Sequence, residues 1–455
     1  MSVRAIVLAA GKGTRMKSAR PKVLHEICGR PMLWYVVASL RDAGINEIVV
    51  IANPEMHAHL EPFNVQTVIQ EEQLGTGHAV QIALAALKHN TNGQILIAYG
   101  DMPLVDAMTY KSVLDPICHP EEHPQGASRR TALALITARM PLPSNFGRVI
   151  RRNGDGVERI VEVRDASVNE LAVDEMNAGI YAYQENDLRE AVAKLRNDNA
   201  QCEYYLTDTI AHLVDSGKYV APVTAEDHRA VLGINDRVEL AIARKQMNER
   251  LCAKYMLDGV TIIDPATTYL EPELQIGRDT VIYPNTSISR LSEIGEGSTI
   301  GPNTRLSNAR IGDRSVIRES VITDCTLGND VAVGPFAHLR GGAALADDVK
   351  IGNFVEIKGS KLAKGVKASH LSYLGDAEIG EESNIGAGTI TCNYDGKKKN
   401  RTTIGKNVFI GSNSSLVAPI TIGDNALTGA GSVVTKDVPP GERVAGNPAK
   451  PLPKK

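Results

Sequence analysis

The stretch Ile276-Gly-Arg-Asp-Thr-Val-Ile282-Tyr-Pro-Asn-Thr-Ser-Ile288-Ser-Arg-Leu-Ser-Glu-Ile294 places an isoleucine at every sixth position. The period continues through the C-terminal part of the chain, with slips in phase, and glycine often follows the aliphatic residue. Repeats of six residues are typical of a parallel β-helix, in which each side of a triangular coil takes six residues. The aliphatic side chain points inward and the small residue turns the corner. Residues 259–455 are therefore predicted to form a β-helix, whose aliphatic stack accounts for an aromatic content of only 4%.

The stretch before the repeats predicts a long helix. No Gly or Pro occurs from Asp236 to Leu257, and the apolar residues Leu240, Met247 and Leu251 share one helical face. Its polar composition suits a connection between domains. We therefore predict a linker helix within residues 229–258.

The N-terminal part, residues 1–228, alternates strand and helix signals. Apolar runs at Glu47–Ala52, Val65–Gln70 and Gln94–Tyr99 are separated by helical stretches such as Gly77–Lys88. This alternation predicts an α/β, Rossmann-like domain with a mostly parallel sheet covered on both faces. Three later runs have no long helix between them, which predicts an added β layer: Thr131–Thr137, Val157–Val163 and Asn177–Tyr183.

A glycine-rich loop follows the first apolar run of this domain. It reads Leu8-Ala-Ala-Gly11-Lys-Gly13-Thr-Arg15-Met16, directly after Ala5-Ile-Val-Leu8. Glycines let backbone N–H groups approach an anion, and Lys12 and Arg15 add positive charge, so the loop suits a polyphosphate. It matches neither the dinucleotide fingerprint nor the Walker motif. An ordinary glycine-rich turn between a strand and a helix is the alternative.

Composition excludes several classes of protein. A net charge of −3 and a pI near 6.4 do not indicate a nucleic-acid-binding protein. No run approaches the roughly 18 apolar residues of a membrane span, so neither membrane insertion nor secretion is expected and the chain is predicted to be cytoplasmic. The 6 cysteines form no Cys-x-x-Cys pair, which predicts reduced thiols rather than zinc ligands or disulfides.

The glycine-rich loop, together with Lys22, resembles the signature of sugar-phosphate nucleotidyltransferases. Joined to the hexapeptide repeats, the chain resembles a bacterial family of bifunctional enzymes over residues 3–435. These are UDP-N-acetylglucosamine pyrophosphorylases that are also glucosamine-1-phosphate N-acetyltransferases. The most specific segments are Gln73-Leu-Gly-Thr-Gly-His78, His370-Leu-Ser-Tyr-Leu-Gly-Asp376 and Gly386-Ala-Gly-Thr-Ile-Thr-Cys-Asn-Tyr-Asp-Gly396. The resemblance implies a left-handed β-helix, a homotrimer and two active sites that use UTP and acetyl-CoA.

For the N-terminal domain, the resemblance implies transfer of a uridylyl group from UTP to N-acetylglucosamine 1-phosphate. Lys22 and Arg15 would contact phosphates, and Asp101 with Asn235 would hold Mg²⁺, a donor set that suits this hard cation. The residues implied to bind the nucleotide and the sugar are Leu8, Ala9, Ala10, Gly11, Lys22, Gln70, Gly75, Thr76, Tyr99, Gly100, Asp101, Gly147, Glu162, Asn177 and Asn235. Simpler roles stay open: Asp101 and Asn235 as helix caps, and Gln70 as a turn residue.

For the β-helix, the resemblance implies transfer of an acetyl group to the amine of glucosamine 1-phosphate. The amine must be neutral to attack, so a base is needed, and His370 is the candidate. Sugar-phosphate contacts are implied for Arg340, Lys358, Tyr373 and Asn384, and acetyl-CoA contacts for Ala387, Asn393, Tyr394, Ser412, Ala430 and Asn447. The alternatives are an exposed loop histidine at 370 and a solvated charge run, rather than a coenzyme A contact, at Lys397–Arg401.

One position departs from the family pattern. Asn447 stands where the family's best-known members carry an arginine that reaches the coenzyme, and Arg443 or Lys450 is a possible replacement. Two other functions remain as alternatives. One is a sugar-1-phosphate nucleotidyltransferase, for this or another sugar, whose β-helix serves only oligomerisation or regulation. The other is a non-catalytic assembly subunit, which would be expected to lose Asp101, Asn235 or His370.

Overall fold

The computed structural model describes residues 2–118, 130–152, 156–199 and 201–453. The chain divides into two compact units, residues 1–244 and 245–455. The first contains an α/β sheet, and the second consists mainly of parallel β-strands. Within the described ranges, no helix combines the length and the apolar character that a bilayer span requires.

The strands and helices of the first unit follow the predicted alternation. The strands are β1 Val3–Leu8, β2 Glu26–Ile27, β3 Arg30–Pro31, β4 Glu47–Ala52, β5 Gln66–Ile69, β6 Gln94–Tyr99, β7 Thr131–Arg139, β8 Arg148–Arg151, β9 Val157–Val161, β10 Glu175–Gln184 and β11 Tyr219–Thr224. The helices are α1 Met32–Asp42, α2 Pro54–His57, α3 Thr76–Ala86, α4 Ala107–Cys118, α5 Val168–Leu171, α6 Glu185–Val192 and α7 Asp208–Asp215, followed by α8 Arg237–Leu257, which begins in the first unit and ends in the second. The last of these lies within the predicted linker segment.

The main sheet has the strand order β11-β7-β10-β6-β1-β4-β5. β1 pairs in parallel with both β4 and β6, so the chain reverses its direction of winding at β1. β10 runs antiparallel to β6 and β7, and the β8–β9 hairpin joins the sheet through β10. The later apolar runs therefore extend the sheet rather than form a separate layer. In open α/β sheets the ligand lies beyond the carboxyl ends of the strands at such a reversal.

Two apolar cores cover the faces of the sheet. Alternate residues of β1 supply both: Ala5 and Val7 pack on one side, and Ile6 and Leu8 on the other. Because strands buried on both faces need apolar residues at every position, the continuous run Ala5–Leu8 forms a central strand. Helices α1 and α4 cover the first side, and α3, α6 and α7 cover the second.

The strands of the β-helix form two hydrogen-bonded sheets, which we call the first and the second ladder. The second covers two sides of each coil, because Arg305–Ile311 pairs with both Ser287–Ser289 and Glu293–Ile294. The first ladder comprises Thr261–Ile262, Val281–Ile282, Thr299–Ile300, Val316–Ile317, Ala332–Val333, Lys350–Asn353, Lys367–His370, Asn384–Ile385, Phe409–Ile410, Leu427–Thr428, Arg443–Ala445 and Lys450–Pro451. The second comprises Tyr269–Leu270, Gln275–Ile276, Ser287–Ser289, Glu293–Ile294, Arg305–Ile311, Val321–Leu327, His338–Arg340, Ala344–Leu345, Glu356–Lys358, Lys361–Leu362, Tyr373–Gly375, Ala377–Ile379, Ile390–Cys392, Thr402–Ile404, Ser415–Val417, Ile420–Ile422 and Val433–Val434.

The register explains the phase slips in the repeat. Ile276 lies opposite Ile294, a step of 18 residues, or three hexads. Ile294 lies opposite Ile311, a step of 17, and Ile311 opposite Leu327, a step of 16. Residues are lost at the corners, while the inward aliphatic positions stay aligned from coil to coil. The core therefore tolerates irregular repeats as long as each inward position is kept.

The inward stack predicts a specific stability effect. Ile317 is fully buried between Ile300 and Val333 in neighbouring coils. Ile317→Ala should destabilise the β-helix by about 2–5 kcal/mol, because the lost methyl groups leave a cavity that the coils cannot close. Urea unfolding monitored by circular dichroism measures this change. Val321→Ala is the matched control, since Val321 is 38% exposed; equal losses in the two variants would contradict the account.

Candidate active sites

The first candidate site lies at the carboxyl ends of β1 and β6. Leu8 and Tyr99 are partners in the parallel register of these strands, so their following loops start side by side. The Ala9 N–H donates to the Ile51 carbonyl at 2.9 Å, and the Gly100 N–H donates to the Leu8 carbonyl at 2.9 Å. These bonds fix the glycine-rich loop at the reversal of the sheet.

A cavity of about 290 Å³ opens at this point. Ten of the residues assigned from the sequence line it: Leu8, Ala9, Ala10, Gly11, Lys22, Gln70, Gly75, Thr76, Tyr99 and Asp101. Four further lining residues were missed: Val23, Gln73, Ala79 and Glu203. Of these, Gln73 lies inside the Gln73–His78 segment and was accessible to motif reasoning. Glu203 lies 102 residues after Asp101, the nearest other lining residue along the chain, and has no sequence signal.

Lys22 holds the polar groups of the cavity together. Its ammonium group contacts the Asp101 carboxylate and donates to Asn235 Oδ1 at 2.8 Å. A second link runs through the backbone, where the Ile234 N–H donates to the Asp101 carbonyl at 2.9 Å. A carboxylate oxygen and an amide oxygen therefore converge on one cation. The same two oxygens fit a hard divalent cation, which completes its shell with water or phosphate oxygens.

The helix-cap alternatives for these two residues are wrong. At the start of α4, Asp106 caps the helix, because its carboxylate accepts from the Thr109 N–H at 2.8 Å. At the start of α8, Asp236 accepts from the N–H groups of Val238 and Glu239. The side chains of Asp101 and Asn235 are thus left for the contact with Lys22.

Of the two glycines in the loop, Gly13 is the one that allows the close approach of Lys22. Gly13 has a φ of +58°, and a Cβ there would lie 2.6 Å from the Cβ of Lys22. Arg15 occupies a short 3₁₀ turn, Thr14–Met16, and is exposed. It is not among the residues that line the cavity. Its predicted phosphate contact stays a prediction.

Gly147, Glu162 and Asn177 form a second cluster. The Asn177 N–H donates to the Gly147 carbonyl at 2.9 Å, and a Cβ at Gly147 would lie 3.4 Å from Glu162 Oε1. Burial raises the pKa of the Glu162 carboxyl, which Thr207 Oγ1 contacts at 3.5 Å. Tyr99 lines the cavity, and its hydroxyl has a raised pKa, chiefly because it is buried and also because of the charges of Asp101 and Glu162. Sequence reasoning missed Thr207.

The second candidate site lies on the outer face of the β-helix. Arg340 and Lys358 are register partners, and so are Lys358 and Gly375. The Arg340 guanidinium donates to Glu356 Oε1 at 2.9 Å, and the Tyr373 hydroxyl lies over Gly375, where a Cβ would approach to 2.4 Å. Three of the predicted sugar-phosphate residues thus share one outer face. Asn384 belongs to the other ladder, opposite Lys367.

His370 ends the strand Lys367–His370 and is exposed, and only Leu371 and Ser372 separate it from Tyr373 of that face. Its Nδ1 lies 2.8 Å from Asn353 Oδ1, its register partner in the preceding coil. The Asn353 oxygen can only accept, so Nδ1 donates to it, and the neutral form of the ring then has its lone pair on Nε2. Ser372 is buried and donates to the His370 carbonyl at 2.8 Å, which removes it as a nucleophile. Asn353 was missed, although it lies one coil before His370.

The predicted acetyl-CoA residues fall into two groups. Ala387, Ser412 and Ala430 occupy equivalent corners of successive coils: the Asn413 N–H donates to the Ala387 carbonyl, and the Gly431 N–H to that of Ser412. Asn393 and Tyr394 instead begin the loop that contains Lys397–Arg401. The Asn393 amide donates to Asp376 at 2.5 Å, and Lys399 lies 4.5 Å from the Tyr394 ring centre. Exposed Asn447 follows Gly446, whose carbonyl accepts from the Val433 N–H at 3.0 Å.

Comparison with known proteins identifies the family. A MobA-like NTP transferase domain matches residues 5–141, a GMPPB C-terminal domain residues 265–361, and a hexapeptide repeat of succinyl-transferase residues 401–436. The protein named Bifunctional protein GlmU from Geobacillus sp. is 46% identical over 438 residues, covering 96% of this chain and 93% of the relative. The chain belongs to the bifunctional GlmU family.

Other GlmU proteins agree along nearly the whole chain. The relative from Pelobacter propionicus is 47% identical over 97% of this chain and 95% of its own length. That from Trichlorobacter lovleyi is 46% identical over 96% and 94%, respectively. The GlmU likeness therefore covers both units, and the predicted two-part architecture, an α/β nucleotidyltransferase domain followed by a hexapeptide β-helix, is confirmed.

Two glycines of the first cavity predict different consequences of the same substitution. Gly75 has a φ of +105°, and a Cβ there would lie 2.6 Å from the Tyr204 carbonyl oxygen, whereas a Cβ at Gly11 would meet nothing within 4 Å. Gly75→Ala should therefore cost about 1–3 kcal/mol of stability from backbone strain alone. Gly11→Ala should cost little. Thermal unfolding of both variants measures the difference, and equal midpoints would show that the Gly75 conformation is not required.

Proposed function

We propose that this protein catalyses both reactions of UDP-N-acetylglucosamine formation from glucosamine 1-phosphate. The β-helix transfers acetyl from acetyl-CoA to the amine, and the α/β unit joins the product to UTP with release of pyrophosphate. The proposal is supported by membership of this family and by two clusters of polar side chains. One joins Lys22 to Asp101 and Asn235, and the other comprises the register partners Arg340 and Lys358 together with His370, which ends the strand before Tyr373.

In the α/β unit, the nucleotide phosphates lie against the glycine-rich loop and Lys22. The sugar phosphate attacks the α-phosphorus of UTP in line, the bond from this phosphorus to the β-phosphate breaks, and pyrophosphate leaves. The protein forms no covalent bond in this reaction, so the rate enhancement comes from positioning of the reactants and from charge neutralisation. Lys22 contributes a cation, and Ala10 and Gly11 of the loop line the cavity.

Asp101 and Asn235 would hold Mg²⁺. When bound, Mg²⁺ supplies neutralisation of the charge on the reacting phosphates. The Asn235 N–H donates to Glu239 Oε2 at 2.6 Å, which fixes the backbone beside the amide oxygen. The chain thereby pre-orients both oxygens before the metal arrives.

The sugar lies at the cluster of Gly147, Glu162 and Asn177. The absence of a side chain at Gly147 leaves room next to the Glu162 carboxylate. A carboxylate accepts hydrogen bonds from sugar hydroxyls or an acetamido N–H, while the Asn177 amide can donate and accept. This arrangement selects an N-acetylated sugar by hydrogen bonding.

In the β-helix, the lone pair on His370 Nε2 is available to take a proton from the glucosamine amine. The amine nitrogen attacks the thioester carbon, its proton goes to Nε2, and the coenzyme A thiolate leaves and is then protonated. Arg340, Lys358 and Tyr373 offer two cations and a hydroxyl to the sugar phosphate. Ala387, Ser412 and Ala430 give small side chains on successive corners, where a long, thin coenzyme can lie.

The active form is a homotrimer in this proposal. Phe336, Phe354 and Leu371 are 55%, 56% and 62% exposed and occupy one corner of three successive coils. The two phenyl rings stack at 5.4 Å. Exposed apolar residues that adjoin one another mark an interaction surface. This ridge ends beside His370, so a neighbouring copy would help to enclose the second site.

Separate substitutions should separate the two reactions. Asp101→Asn removes the charged metal ligand and should lower uridylyl transfer at least 100-fold, whereas acetyl transfer should stay within twofold of the parent rate. His370→Ala should do the reverse, because general-base catalysis contributes about 10²–10⁴-fold. Pyrophosphate release and coenzyme A thiol release measure the two rates.

Each variant is the control for the other, since a general folding defect would lower both rates. Loss of both activities in a folded single variant would contradict two independent sites. If the parent chain releases pyrophosphate but never acetylates glucosamine 1-phosphate, the β-helix serves only oligomerisation or regulation. The replacement of the family's arginine by Asn447 would then be the first explanation to test for the missing acetyl transfer.

Asn353 should affect acetyl transfer by orienting the imidazole of His370, without contacting the substrate. Asn353→Ala removes the acceptor that holds the proton on His370 Nδ1, so the kcat of acetyl transfer should fall about tenfold or more, with a smaller change in KM. Asn353→Asp keeps an acceptor and should recover most of the rate. Steady-state kinetics at several pH values measure the effect, and an unchanged pH profile in Asn353→Ala would contradict this role.

A further inference from the structure

The residues of the first cavity differ in the charge they offer. Lys22 supplies the cation and lies with Asp101 and Asn235, whereas Gln70, Gly75 and Thr76 offer no cation. Phosphates therefore belong near Lys22, and a neutral base belongs near Gln70. Gln70 is 3% exposed and has the only side-chain amide among the buried residues that line the cavity in the described part of the chain.

The orientation of the Gln70 amide is fixed by two acceptors. Gln70 Nε2 lies 3.3 Å from the Gly75 carbonyl oxygen and 3.2 Å from His78 Nδ1. A carbonyl oxygen can only accept, so the atom that faces it must be the amide nitrogen. The second amide hydrogen then goes to His78 Nδ1, which must carry the lone pair, and the histidine proton lies on Nε2. Both N–H groups of Gln70 are thus used within the protein.

We propose that His78 is a positioning residue that fixes the Gln70 amide with its carbonyl oxygen toward the base, and thereby makes the site selective for uracil over cytosine. This inference rests on the proposed uridylyl transfer. His78 is the third residue of helix α3, and the helix holds its imidazole beside the Gln70 amide. Its ring also faces Tyr204, with ring centres 6.3 Å apart.

The selectivity follows from the pattern of hydrogen-bonding groups on the two bases. Uracil presents an N–H donor at N3, whereas N3 of cytosine carries a lone pair. An oxygen held toward N3 accepts from uracil but faces a second acceptor in cytosine. A buried acceptor that faces another acceptor makes the binding free energy less favourable, because neither group is hydrogen-bonded. Sites that use this effect discriminate strongly against the nucleotide that lacks the donor. An amide free to rotate by 180° would present its N–H₂ group to cytosine and lose the distinction.

The first test compares UTP with CTP in the full-length protein, with N-acetylglucosamine 1-phosphate and Mg²⁺. His78→Leu removes the acceptor, and we expect the ratio of kcat/KM for UTP to that for CTP to fall at least tenfold. His78→Gln keeps an acceptor oxygen and should restore part of the ratio. His89→Leu is the matched control, because His89 is an exposed histidine of the same unit that contacts Asn186.

A double-mutant cycle separates positioning from general structure. If His78 acts only through the Gln70 amide, His78→Leu should change the nucleotide ratio little once Gln70 is already alanine. A parallel fall in kcat/KM for UTP and CTP in His78→Leu, with an unchanged ratio, would overturn the proposal. The proposal would also be overturned if His78→Leu changed the nucleotide ratio equally in the parent chain and in Gln70→Ala.

A measurement on the parent chain keeps the proposal testable if His78→Leu does not fold. The nucleotide 3-methyl-UTP lacks the N3 hydrogen and should be used at least 100-fold less efficiently than UTP. Turnover of 3-methyl-UTP at the rate of UTP would overturn the proposal, because no acceptor would then be reading N3. Failure of the proposed function is distinct from both results: the parent would release no pyrophosphate from UTP itself.

Discussion

The contact of Lys22 with Asp101 and Asn235 is the constraint on which the first unit depends. It joins three distant parts of the chain: the segment after the glycine-rich loop, the carboxyl end of β6 and the turn before α8. Bringing two oxygens and an ammonium group to one point requires β1 and β6 to be neighbours. The loop after β1 must also have no side chain at Gly13, because a Cβ there would lie 2.6 Å from the Cβ of Lys22. In the proposed function, a site built in this way would bind polyphosphate and a cation with little rearrangement.

The β-helix meets a different constraint. Its core needs one inward residue per hexad, so the outward positions of each strand are free of any packing requirement. The outer face that carries Arg340, Glu356 and Lys358 shows this freedom, since the residue between the last two, Ile357, is fully buried. Stacked coils place side chains 16 to 18 residues apart next to each other, which is how Asn353 reaches His370.

Much of this architecture was predictable because it rests on periodic patterns. The hexad rule located the inward residues. Its phase broke where corners lost residues, as between Ile294 and Leu327, and where the Lys397–Arg401 loop adds residues, as between Ile379 and Ile404. The strand ends of the α/β sheet located Asp101 and the glycine-rich loop. Contacts between distant segments were not predictable: Thr207 meets Glu162, and Glu203 reaches the cavity, without any local pattern. The family resemblance located residues such as Gly147 and Asn177, which no pattern in this sequence alone singles out.

We propose that one chain carries two sites that act in sequence on the same sugar phosphate. The direct test is to supply the purified protein with glucosamine 1-phosphate, acetyl-CoA, UTP and Mg²⁺ together, and to follow coenzyme A thiol and pyrophosphate over time. We expect the thiol to appear first and pyrophosphate to follow after a lag, with UDP-N-acetylglucosamine equal in amount to both at completion. Pyrophosphate release without prior thiol release, with UDP-glucosamine as the product, would contradict it.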